Sequence, residues 1–184
     1  MPSAHDIATA LRQRQPGMPV KKLHKLLYYC QGHHLAVHGK PLFDETIEAW
    51  DMGPVVAELW RDEKYGAPTP PTGHLGEAEL NTIGYTLSRY GNLTGRDLEN
   101  LSHNEDPWLI ANRGRPPGGH TPIDPDVITG YFRDAGREEG GGVCSETVAA
   151  WLAKTATVPA GPGRPLTREE LAAEFEASEA RLGG

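Results

Sequence analysis

The feature that most constrains this chain is the unbroken run from Val20 to His38, with Pro19 before it and Gly39 after it. Val20, Leu23, Leu26, Leu27, Cys30, His34 and Val37 recur at the spacing that brings side chains onto one side of an α-helix. Pro19 suits the first turn of that helix, where its missing N–H costs nothing, and Gly39 supplies a left-handed stop. A broad apolar stripe of this length needs other elements packed on it, and the remaining sequence offers them. Ser3-Ala-His-Asp6 reads as a capping box opening a short helix that stops near Gln15. Thr46 to Trp50 is rich in strand formers and predicts a short strand. Gly53-Pro54 is expected to break it and to start a helix through Val55, Val56, Leu59 and Trp60 to Tyr65. A helix over Gly76 to Tyr90 should turn Leu80, Ile83 and Leu87 to one face. Thr94 and Asp97 form a second capping box, Trp108 to Asn112 reads as a helical turn, and Asp124-Pro125 opens a helix carrying Val127, Ile128, Tyr131 and Phe132. The expected fold class is mainly α: a compact helical domain with a small β element near residues 46–52, plus a helical C-terminal extension.

The 22 glycines and 16 prolines are unevenly spread, and their clusters mark the punctuation. Residues 66–73 and 113–121 read as loops. The run Gly136 to Gly142 reads as a linker, dividing a domain over 4–135 from an extension over 136–184. In the extension, Glu146 to Ala156 is expected to form a short helix and Pro159 to Pro165 a spacer. Thr167-Arg-Glu-Glu170 is a third capping box, opening an amphipathic helix at about 168–182. Leu171, Phe175 and Leu182 line one narrow stripe on it, with Ser178 leaving a polar gap. An isolated helix this short is marginal in water. It should fold back on its own domain or dock into a partner's groove.

Function classes narrow by elimination. With 25 acidic against 18 basic residues the net charge is −7, a poor start for a phosphate-neutralising nucleic-acid binder. Arg12, Arg14, Lys21, Lys22 and Lys25 read as the solvated face of two helices rather than a basic patch. Cys30 and Cys144 stand far apart, in neither disulfide nor metal spacing, so a reducing compartment fits. The N-terminal stretch lacks the apolar core of a signal peptide, and the expected location is cytoplasmic, with no membrane partner. His34 and His38 lie four apart, where their rings share a face and His103 with Glu105 or Asp106 could complete a zinc set. A metal-dependent hydrolase using those histidines is therefore one alternative, although His34 falls on the apolar stripe and reads as structural. A DNA-binding operon regulator is another, with little beyond the short N-terminal helix pair to carry it. Cys30 on the buried stripe reads as inert packing. Asp44, Glu45, Glu48 and Asp51 read as turn and strand-edge residues facing water. No phosphate loop, nucleophile elbow or C-x-x-C pair is present, and neither a catalytic set nor a cofactor is expected. The four tryptophans and six tyrosines are mostly core material, but one or two at an edge would anchor a protein interface.

The stretch from Lys22 to Ala36, KLHKLLYYCQGHHLA, resembles the first signature of the Panacea domain, the SocA-like antitoxin family. The likeness continues through Gly39 to Phe43, Ile47 to Trp50 and Gly53 to Val56, then through Leu101 to Trp108, and ends at Ile123 and Tyr131-Phe132. It spans about residues 4–135. Cys30, Ser102 and His33 depart from the family's usual small residue, threonine and aromatic. The resemblance implies a mostly helical fold with a small strand element around Ile47 to Trp50. It implies an antitoxin of a bacterial or phage toxin–antitoxin pair that neutralises a cognate toxin, encoded by an adjacent gene, through direct binding. The family pairs one domain with many unrelated toxins and brings no catalytic residues. The partner-binding candidates are Trp50, Asp51 and Gly53, then His103, Pro107 and Trp108 as signature elements, and separately the stripe Leu171, Phe175 and Leu182.

Overall fold

Helix α2, Val20–His38, is the element on which most of the chain converges. The computed structural model describes residues 1–66 and 73–139. In chain order they form α1 (Ala4–Arg14), α2, β1 (Ile47–Trp50), β2 (Gly53–Val56), α3 (Ala57–Tyr65), α4 (Glu77–Tyr90), α5 (Gly95–Ser102), α6 (Asp106–Asn112), β3 (Thr121–Pro122) and α7 (Pro125–Glu139). The architecture is mainly α with a small antiparallel sheet in the order β2-β1-β3.

Both capping boxes in this region form: the Ser3 and Thr94 hydroxyls accept from the backbone N–H of Asp6 and Asp97, whose carboxylates reach back to the cap. Asp124 opens α7 by accepting from the Asp126 N–H at 2.8 Å. Gly39 ends α2 at φ 66. Pro19 stands one place earlier than expected, as the N-cap residue of α2.

The stripe on α2 proves too narrow a description. Every residue from Lys22 to Gln31 is buried, as are Gly32, His34 and Leu35, whereas Val37 is 76% exposed. The helix is wrapped by α4, α5, α7, α1 and β2, so its polar side chains must find partners indoors. They do. The Lys22 ammonium donates to the Gly91 carbonyl at 2.6 Å, and Lys25 donates to the Pro54 carbonyl at 3.0 Å. Gln31 binds both neighbours in the chain that follows α2, accepting from Leu42 N–H and donating to the Phe43 carbonyl. Lys22 and Lys25 thus leave the solvated face assigned to them, while Arg12 and Lys21 pair with Glu63 and Glu99. Gly32 gives Phe132 of α7 its seat: a Cβ there would lie 2.3 Å from that ring.

The helix expected to start at Gly53-Pro54 instead begins at Ala57. Gly53 to Val56 is an extended strand, pairing Ala49 with Pro54 and Trp50 with Gly53. Proline is tolerated because β2 is an edge of the sheet. On α4 the buried positions are Thr82, Ile83, Thr86 and Tyr90, with Leu80 38% exposed and Leu87 partly buried. Helix α7 runs through Gly136 to Glu139, so the expected linker begins inside a helix. The helices expected over residues 146–156 and 168–182, the spacer between them and the stripe Leu171, Phe175 and Leu182 lie outside the described residues.

Candidate functional site

The hairpin of β1 and β2 turns over Asp51 and Met52, and the signature residues gather around it. Gly53 carries the left-handed backbone the turn needs, at φ 92. It also lets two side chains approach: an added Cβ would stand 2.8 Å from Lys25 Cε and 3.0 Å from Ser102 Oγ. Gly53→Ala therefore meets both a backbone and a packing penalty. We expect it to lower unfolding free energy by about 2–4 kcal/mol in urea denaturation. A loss under about 0.5 kcal/mol, the size of an ordinary surface change, would show that the turn adapts freely.

Trp50, Trp60 and Trp108 form an aromatic layer beside this turn. Trp50 and Trp60 meet edge to face with centroids 5.1 Å apart, and the Trp108 indole N–H donates to the Trp50 carbonyl at 3.1 Å. The His103 ring stacks on Trp108 at 4.0 Å. Trp50, Pro107 and Trp108 are buried, His103 is half-buried, and Asp51 alone among the six signature residues is exposed. Their common role in the structure is to join β1, α5 and α6 into one framework. Asp51 ties a further segment on: its carboxylate accepts from the Arg115 guanidinium and from the Gly118 N–H, the latter at 2.8 Å. Thus the glycine- and proline-rich loop before β3 is clamped to the hairpin turn. Glu45 and Glu48 also serve structure, accepting from the Ala4 N–H and the Trp50 indole, so neither merely faces water.

The domain also holds several buried ionisable groups on and around α2. Burial pushes Lys25 down to about 7, with Lys21 adding to the fall and Glu99 opposing it. His24 Nδ1 accepts from the Val56 N–H at 3.3 Å, and burial lowers its pKa to about 3. Glu105 sits between two phenols, accepting from Tyr28 and Tyr29 at 2.8 and 2.9 Å, and burial raises it to about 7. Burial raises the Cys30 thiol to about 12, the behaviour of a packed, unreactive side chain.

The histidine cluster does not assemble. His34 and His38 are neighbours on α2, with ring centroids 4.3 Å apart, but His34 Nδ1 is bonded to Thr82 Oγ1 at 2.8 Å. His103 is stacked on Trp108 instead, and among the described residues no three His, Cys, Asp or Glu side chains form a metal-holding group.

Sequence reasoning passed over two residues. Leu109 and Ile110 of α6 are 38% and 44% exposed, directly after the buried Pro107-Trp108 pair. A helical wheel was signal enough: with Pro107, Trp108 and Ala111 turned to the core, positions 109 and 110 must face out.

The family model for antitoxin SocA-like, Panacea domain, matches residues 23–109, just under half of the chain. No curated protein and no solved structure matches it. No helix among the described residues is long and apolar enough to cross a membrane.

Proposed function

We propose that this chain, whose residues 23–109 carry a SocA-like Panacea domain, is a non-enzymatic antitoxin that neutralises a cognate toxin by direct binding. The family match is the observation that carries the reading. The aromatic framework supports it by holding a rigid α6 whose outer side presents Leu109 and Ile110, an apolar pair of the kind that anchors interfaces. The signature residues Trp50, Gly53, Pro107 and Trp108 then act on the partner indirectly, by shaping that surface, while Asp51 and His103 reach its edge. Leu171, Phe175 and Leu182 supply a second contact from the extension. The net charge of −7 favours a basic partner, with encounter faster at low salt. The operon-regulator reading draws less support, because Lys22 and Lys25 are buried and Arg12 and Lys21 are paired with carboxylates.

The test is co-expression with the product of the adjacent gene, scoring growth and co-purification. The neighbour alone should stop growth, and this chain should restore it in a stable complex. Replacing Leu109 and Ile110 together by aspartate should weaken the complex by about thirtyfold or more with the fold intact, as loss of an interface anchor does. The same charge change at Leu171, Phe175 and Leu182 probes the extension. A harmless neighbour that does not co-purify would sink the antitoxin reading. Unchanged affinity in both variants would sink the two surfaces.

A further inference from the structure

A cavity of about 540 Å³ opens between α2, α4 and α7, on a different part of the domain from the hairpin turn. Its walls include His33, Tyr85, Tyr90, Tyr131 and Phe132, and Glu105 belongs to its lining. The size lies in the range of pockets that take small organic molecules. The lining is aromatic, and aromatic faces attract cations.

Glu105 makes the cavity more than a gap in packing. It occupies the N-cap position of α6, where a side chain ordinarily turns to the free N–H groups of its own helix, yet it makes no such bond. It turns inward to the Tyr28 and Tyr29 hydroxyls. The side chain is 9% exposed and no Lys, Arg or His forms an ion pair with it among the described residues. Two neutral donors leave the buried carboxylate without an ion-pair partner, an arrangement costly to a fold unless the group takes up a proton or something supplies a cation. Arg89 lines the same space, but its Nε is engaged with the Tyr90 hydroxyl at 3.0 Å.

We propose that this cavity is a binding site for a small organic cation with an aromatic body, its ammonium head paired with Glu105 and its ring packed among Tyr85, Tyr90, Tyr131 and Phe132. Phenethylamine is the minimal probe of that chemistry. Phenethyl alcohol keeps its shape without charge, and hydrocinnamate reverses the charge.

The experiment is calorimetric titration of the full chain with each probe. The amine should bind at least about tenfold tighter than the alcohol, the increment of one charge-assisted hydrogen bond, and hydrocinnamate should bind no better than the alcohol. Glu105→Gln should bring the amine down to the level of the alcohol. Amine affinity should also fall from about pH 8 to about pH 6, as Glu105 takes up a proton. Tyr28 and Tyr29 of α2 bond the carboxylate, and His33 of α2, Arg89 and Tyr90 of α4 and Tyr131 of α7 line the same cavity. His38 also lines the cavity, so the pH series is repeated in His38→Gln as a control. Should Glu105→Gln fail to fold, the charge series and the pH series on the unaltered chain decide the matter. Equal binding of amine and alcohol, or no binding of either, overturns the proposal. Preference for hydrocinnamate also overturns it and assigns the space to Arg89. None of these outcomes depends on whether a toxin is bound.

Discussion

Acidification from about pH 7 to about pH 5 should cost the folded domain several kcal/mol, a large share of a total stability of roughly 5–15 kcal/mol. Four histidines drive this. Burial lowers His24 and His33 to about 3 and His34 and His103 to about 4, against 6.5 for a free imidazole. Each folded pKa lies below its unfolded value, so between the two the unfolded chain binds more protons and acid favours it. This stability is fully present above about pH 6.5 and disappears as pH falls through the folded pKa values. Glu105 works the other way, because its folded pKa of about 7 lies above its ordinary 4.5 and the native state holds its proton longer. One group opposes four. The net difference of two to three protons corresponds to a slope on the order of 3 kcal/mol per pH unit. Hydrogen bonding supplies the local reason at His24: Nδ1 already faces the Val56 N–H, so a proton there would set donor against donor. Urea midpoints at half-unit steps of pH should fall steeply below neutrality. His24→Asn, which keeps an acceptor for Val56, should flatten the slope by up to about one proton. Midpoints that stay level between about pH 7 and about pH 5 would contradict the account.

Trp108→Ala should cost about 3–5 kcal/mol, the range for deleting a large buried aromatic. Trp108 is 8% exposed, fills the space between β1 and α5, stacks on His103 and donates to the Trp50 carbonyl. Alanine removes the packing and the donor together. Trp108→Phe keeps the stacking and should lose only about 1–2 kcal/mol. Urea denaturation of both variants separates these terms. A loss in Trp108→Ala under about 1 kcal/mol would mean that the aromatic layer is dispensable. Because the expected effect falls on folding, any loss of partner binding in Trp108→Ala must be compared with Leu109 and Ile110 variants that remain folded.

Much of the scaffold was legible because its signals are local. The capping boxes at Ser3 and Thr94, the stop at Gly39 and the opening of α7 at Asp124 depend on a few adjacent residues, and each forms as read. Strand β2 was missed because Gly-Pro is as good a helix opening as a turn. Only pairing with β1, and an edge that spares Pro54 a ladder donor, decides between them. The burial of Lys22 and Lys25 was illegible for a related reason. A lysine looks solvated until a distant carbonyl, here at Gly91 or Pro54, is brought to it. At the candidate site the signature residues stood out in the sequence, but their burial did not. That knowledge moves the expected contact from Trp108 to the outward positions beside it.

The Asp51 clamp and strand β3 have a consequence for synthesis on the ribosome. The sheet gains its third strand only when Thr121 pairs with Ala49 and Glu48 with Pro122, partners separated by some seventy residues of chain. Helix α7 then seats Phe132 on Gly32 and packs along α2. When residue 109 has just cleared the exit tunnel the whole family-matched segment is out, yet Tyr28, Tyr29 and Gly32 of α2 still lack the ring of Phe132 that packs on them. A folding unit that reaches into α7 is therefore the expectation, with a chain ended before that helix expected to be more open to proteases than one that includes it.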